Sequence, residues 1–225
     1  NFRLRGGDPV SEKRRKSSRD RILAVAERLF AERGYRMVSV RDITKAAGCN
    51  VAAVNYYFGS KENLYLEVIK TRIVPRARKI REHFVSMLSG RSDPGPHEVV
   101  RALCLAFFKS PIPEKERRVH QHFMAREMSH PTMGFHIIAE EVVKPMHTLL
   151  VDYLEPHFPE GTKRSEIVLF ALSVFAQVAH FNYARHMVSA LTDREFDESF
   201  VETLVEHVTR FSTAAIPGSG RENGD

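Results

Sequence analysis

Cysteine is scarce in this chain. Cys49 and Cys104 are the only two among 225 residues, and they lie too far apart to suggest a disulfide framework or a cysteine metal cluster. A reducing, cytoplasmic setting is the expectation. Long apolar runs are missing too: the most apolar stretch, Ile167 to Phe181, is interrupted by Ser173, Gln177 and His180. It falls short of the roughly 20 residues of a bilayer-spanning helix, so no membrane partner is expected. No secretory-signal pattern precedes the first predicted helix. A glycine-rich phosphate loop, a GxSxG elbow and an HExxH pair are all absent. His120 with His122, or His136 with Glu140, make weak metal pairs. Residues two apart on a helix do not face each other, and no further ligand pair supports either couple. These absences argue against an enzyme and predict neither metal nor cofactor.

What is present is charge of one sign. A net charge of +6 points toward a polyanion only if the charge is focused. The clearest focus is Lys13, Arg14, Arg15 and Lys16, just ahead of a helical pattern and read as phosphate contacts within a flexible basic arm over 1–17. Ile22, Val25, Ala26, Leu29 and Phe30 then form one apolar stripe, which predicts a helix from about Ser18 to Arg33. Ser17 with Asp20 resembles its capping box, and Gly34 its stop.

The stretch from Ser39 to Leu64 carries the main signal. Ser39 is placed to cap a short helix that turns Val40, Ile43 and Ala47 inward. Gly48 permits a tight left-handed turn, Asn50 is placed to cap a third helix from Val51 to about Tyr57, and Ser60 a fourth. Two short helices joined through a glycine turn are the pattern of a helix-turn-helix, whose second helix enters the major groove. Val51 opens that helix, and the small side chains of Ala52 and Ala53 let it approach base edges closely. Asn55 has the donor and acceptor for adenine N6 and N7, while the phenols of Tyr56 and Tyr57 can reach phosphates. Lys61, at the start of the next helix, combines an ammonium with backbone amides at one phosphate. Arg41 and Thr44, assigned to the outer side of the second helix, complete the candidate contacts together with the capping residues Ser39 and Asn50. Cys49, in the turn, reads as a small buried residue rather than a redox sensor.

These residues resemble a known family. Gly34-Tyr35, the DIT of Asp42 to Thr44, AAG at Ala46 to Gly48 and YYFGSKENL from Tyr56 to Leu64 look like the DNA-binding domain of TetR-family transcriptional regulators, over roughly Ser18 to Val74. The resemblance implies an all-α cytoplasmic homodimer, usually a repressor, with a larger C-terminal domain that often binds a small molecule. Much of the family has tyrosine where this chain has Asn55, so base preference is not carried over. Arg126 to Phe135, REMSHPTMGF, resembles the middle of the CecR-like subgroup.

The expected organisation is therefore the arm over 1–17, a helix-turn-helix domain over 18–74, a helical regulatory and dimerisation domain over 75–216, and a disordered tail over 217–225. In the third part the pattern predicts helices over about 97–108, 114–129, 132–154 with a bend at Pro145, 163–191 and 193–211. The stretch 163–191 is apolar nearly all round in its middle and needs covering on every side. Val168, Leu172 and Phe175, with Phe200, Leu204, Val208 and Phe211, are the candidate dimer interface of a four-helix bundle. A small hydrophobic or amphipathic ligand is assigned to Phe107, Phe108, Phe123, Met124 and Arg126, with Glu127, Met128, Phe135, Phe181 and Tyr183. The function expected is a dimeric repressor released from a palindromic DNA operator by that ligand. The alternative is a DNA-binding regulator without an inducer, controlled by a protein partner or by abundance.

Overall fold

The computed structural model describes the backbone of residues 9–216 and side chains from Ser18 onward. The side chains of Lys13, Arg14 and Arg15, residues 1–8 of the expected arm and the tail 217–225 therefore lie outside the described residues. Every regular element among those described is helical, as the periodicity predicts. Helix α1 (Pro9–Arg33) starts well before Ser18. Residues 9–17 are thus helix rather than arm, and Ser17 and Asp20 sit inside it rather than at its cap. Pro9 is favourable in a first turn, and Glu12 to Lys16 are good helix formers that need no apolar stripe to continue a helix.

The chain packs as two units. The first takes the described residues up to Pro75 together with Arg118–Ile137; the second takes Arg76–Arg117 and the described residues from Ile138. The sequence predicts one contiguous segment, 75–216, for the second, so residues 118–137 depart from that expectation. Their apolar and polar side chains find partners on the first unit's own helices.

In the first unit, α1 is joined by α2 (Val40–Ala47), α3 (Val51–Phe58) and α4 (Lys61–Val68), and by α7 (Glu114–Ser129) from Arg118 onward. Ile22, Ala26, Leu29 and Phe30 of α1 are buried with Ile43, Ala47, Val54, Phe58, Leu64 and Val68. Val25 of the predicted stripe is only half-buried. Gly134 sits where a Cβ would come within 2.1 Å of Ile69 Cδ1, so the chain approaches α4's end more closely than any side chain allows.

A π-helical turn, Ile69–Ile73, leads into α5 (Val74–Leu88), and a second, Ala139–Val143, links α8 (Phe135–Ile138) to α9 (Lys144–Leu154). Each π turn is followed two residues later by a proline, Pro75 or Pro145. Proline has no N–H to donate and crowds the carbonyl four residues back, and the widened turn accommodates both defects.

The second unit is built from the rest of α5 with α6 (Pro96–Phe108), α9, α10 (Arg164–Tyr183), α11 (Arg185–Thr192) and α12 (Glu198–Thr213). Phe84, Leu103, Leu150, Val174, Val205 and Val208 are among its core residues, and α12 lies along α6. Cys104 is fully buried there, and burial pushes its thiol up to about 12, which makes it inert. The predicted helix over 163–191 is two helices, broken at Ala184. Beside the break the Arg185 guanidinium donates to the Asn182 carbonyl at 3.3 Å and its side-chain oxygen at 3.1 Å, occupying a carbonyl that a continuing helix would use. With 20 residues, α10 is long and apolar enough, by length and composition alone, to cross a bilayer, so the shorter run read from the sequence understates it.

Candidate nucleic-acid interface

Helices of eight residues are marginal on their own, and α2, α3 and α4 each begin on a side-chain cap. At α2 the Ser39 hydroxyl accepts from the Asp42 amide at 3.1 Å, and the Asp42 carboxylate accepts from the Ser39 amide at 2.8 Å. This reciprocal pair is a complete capping box, and the Ser39 hydrogen bonds hold the Asp42 carboxyl below its usual range. Gly48 ends α2 in the left-handed conformation at φ 63°. Asn50 then starts α3, its side-chain oxygen accepting from the Ala53 amide at 3.0 Å. The Ser60 hydroxyl does the same for Asn63 at 3.1 Å.

Helix α3 turns Val54 and Phe58 into the core. Its outer face presents Val51, Ala52, Asn55 and Tyr56 to solvent, with Ala53 and Tyr57 half-buried beside them. Tyr56 is 62% exposed, and its ring meets Tyr57 edge-on at 5.0 Å, so the two phenols stand side by side. Arg41 on α2 is exposed as well. Thr44 is not: it is 4% exposed and its hydroxyl donates to the Arg41 carbonyl at 3.2 Å, which removes it from the candidate contacts. A threonine next to Ile43 on an eight-residue helix falls at the edge of the buried stripe, and only packing decides its side. Cys49 is half-buried, not fully enclosed as expected.

Lys61 is held by a residue the sequence reading left without a role. Its ammonium sits over the Tyr35 ring at 4.2 Å, and the Tyr35 hydroxyl donates to Glu62 at 2.7 Å. Burial, with the Glu62 carboxylate beside it, pushes the Tyr35 phenol up to about 12. The same hydrogen bond holds the Glu62 carboxyl below its usual range. Tyr35 therefore fixes the first turn of α4, where amides and the ammonium are offered together. The only sequence cue was Gly34-Tyr35 in the family motif. Arg19 of α1 pairs with Glu67 of α4 and lies over the Phe58 ring, linking α1, α3 and α4.

The residues assigned to a ligand pocket are divided between the two units. Phe107, Phe108, Phe181 and Tyr183 belong to the second unit, where Phe107 packs edge-on against Phe175. Met124 is buried, while Met128 and Phe135 are exposed. Phe123, Arg126 and Glu127 line a cavity of about 510 Å³ within the first unit. Aromatic and Met content marks helices that bury side chains, whereas a cavity depends on where helices diverge.

The candidate dimer face also divides. Phe200, Leu204 and Val208 are buried in the second unit's own core because α12 lies along α6, and Phe175 of α10 is buried there against Phe107 of α6. Val168, Leu172 and Phe211 are exposed, and so is Leu169, which the sequence reading omitted. Phe181 meets His207 at 6.2 Å, and His207 stacks on Phe211 at 6.1 Å, so the outer faces of α10 and α12 adjoin.

A capped helix-turn-helix with a small-residue outer face, followed by a separate helical unit, defines a DNA-binding transcriptional regulator rather than an enzyme. The comparisons with known proteins agree. Residues 22–68 match the family described as bacterial regulatory proteins, tetR family, and residues 96–216, more than half of the chain, match the C-terminal domain of the HTH-type transcriptional dual regulator CecR. The chain belongs to the TetR family of transcriptional regulators, with a C-terminal domain of the CecR type. CecR of Shigella flexneri is 24% identical over 210 residues, covering 90% of this chain and 92% of that protein. The repressor AcnR of Corynebacterium glutamicum is 24% identical over 196 residues, covering 86% and 93%. Among solved structures, the fatty acid degradation regulator FadR of Bacillus halodurans superposes with a TM-score of 0.60 at 18% identity, covering 98% of this chain and all of that one. A regulator from Saccharomonospora viridis solved with choline gives 0.58 at 19%, covering 89% and 98%.

Proposed function

We propose that the chain acts in the cytoplasm as a homodimeric repressor that reads a near-palindromic operator with α3 and is released from it by a small-molecule ligand. The observation that carries the reading is the outer face of α3. Val51, Ala52, Asn55 and Tyr56 are exposed on a helix whose start is fixed by Asn50 and whose back is anchored by Val54 and Phe58. One such helix reads only a few base pairs, so a two-fold copy is needed for useful selectivity. The exposed apolar residues Val168, Leu169, Leu172 and Phe211 supply a face for that pairing. Asn55 supplies base discrimination, while Lys61, Arg41 and the tyrosines position the helix on phosphates. Selection of bound DNA from a random pool tests this directly. The expected product is a pair of inverted half-sites; enrichment of single half-sites, or of nothing, would contradict the dimeric reader.

A further inference from the structure

The geometry points to a ligand site outside the second unit: the cavity formed by the end of α1, the turn after it, α4 and α7, all within the first unit, taking an amphipathic anion with a flat apolar body. It deepens the ligand-responsive reading above and rests on that reading only for its effect on DNA. The volume, about 510 Å³, lies in the range of small-molecule pockets, which are apolar with a few placed polar groups. The wall here is aromatic. Tyr65 stacks on Phe123 at 5.4 Å and meets Phe30 edge-on at 4.9 Å, and all three are buried. Tyr35 extends the wall at 4.9 Å from Tyr65.

The sign of the ligand follows from which charges remain open. Glu127 is 1% exposed, yet its carboxylate accepts from the Tyr65 hydroxyl, from the Thr132 amide at 3.2 Å and from the Thr132 hydroxyl at 2.7 Å. Burial and this hydrogen bond push the Tyr65 phenol up, so it stays a neutral donor to that side chain. Glu127 is thereby occupied. The same lining carries three guanidiniums, those of Arg33, Arg36 and Arg126. Arg126 donates through Nε to the Ala31 carbonyl at 2.7 Å and through Nη2 to the Glu32 carbonyl, while its Nη1 faces Gly34. Three guanidiniums against one occupied carboxylate favour an anionic head at the mouth over a cationic one. The apolar body then lies on the aromatic wall.

The site also has a route to the reading head. The Arg126 bonds tie α7 to the last carbonyls of α1, just before the segment that carries Tyr35 and the Ser39 cap. An anion that competes for Arg126 weakens that tie, and by linkage DNA that favours the tied state weakens the anion's binding.

The test uses the full chain and three probes that share one body: 2-naphthoate, the uncharged 2-naphthylmethanol and the cationic 2-naphthylmethyl-trimethylammonium. Calorimetry should show naphthoate binding at least about tenfold more tightly than either analogue. The double variant Arg33→Gln/Arg36→Gln should lose most of that preference. Ser129→Phe, an exposed lining residue, should fill the cavity and abolish binding with the melting temperature kept. Equal affinity for the three heads, a preference for the ammonium, full affinity in Ser129→Phe or no naphthoate binding at all would each overturn the assignment. Naphthoate that binds as expected but leaves affinity for the selected operator unchanged would instead overturn the ligand-release reading and leave the site standing.

Discussion

Helices α2, α3 and α4 of the first unit are eight residues each and all start on side-chain caps, from Ser39, Asn50 and Ser60, whereas in the second unit α12 starts on an Asp197 cap but the 20-residue α10 starts without one. Short helices have few turns over which to recover the entropy of nucleation, so each cap counts. Long helices are held by side chains along their length, and in the second unit those side chains form one apolar core. The first unit can therefore present a polar, exposed reading face and keep its shape through local hydrogen bonds. The second tolerates an uncapped start at its longest helix, α10, and depends on core packing.

The largest effect that tests this contrast is Leu103→Ala, which removes a fully buried side chain from the second unit. It should cost about 2–5 kcal/mol of stability by denaturant or thermal melting while leaving base preference unchanged at temperatures where the chain is folded. A shifted base preference at unaltered stability would break the division of labour. Next is Asn55→Ala, which should lose about 1–3 kcal/mol of discrimination at one base position in a binding assay, with the melting curve unmoved. Lys61→Ala should instead weaken all sequences alike and flatten the salt dependence.

Smaller still is Asn50→Ala. Loss of the α3 cap should cost about 1 kcal/mol of stability and lower DNA affinity more than any uncapped helix start in the second unit could. The smallest is a pH effect at α2. Because the Asp42 carboxyl titrates below its unfolded value, its contribution is fully present above the ordinary carboxylate range and is lost as pH falls through the lowered folded value. Asp42→Asn should therefore melt with a shallower loss of stability on the acid side than the parent chain. A parallel acid limb in the two proteins would mean that the capping box carries no charge-dependent stability.

Legibility differed between the same two regions. The caps at Ser39, Asn50 and Ser60, the Gly48 turn and the outward set on α3 were all readable, because each depends on residues within four positions of one another. Thr44 was misplaced because it lies at the boundary of a stripe too short to define its own edge. The start of α1 was read too late because apolar periodicity marks the buried part of a helix and says nothing of a charged extension. Phe200, Leu204 and Val208 were apolar at the right spacing, yet spacing cannot tell a protomer's own core from a face left for a partner. The cavity was legible only in Phe123, Arg126 and Glu127, since Arg33, Tyr35 and Tyr65 meet them from distant parts of the chain.

The amino-acid sequence by itself determined the all-helical class, the helix-turn-helix and the residues that cap it, because those follow from local backbone preference and short-range hydrogen bonds. Tertiary structure decided which apolar stripes are core, that α7 from Arg118 packs with the first unit, and that three arginines and four aromatic rings share one cavity. Those outcomes rest on contacts between residues far apart in the chain, and such contacts are set by how whole helices pack.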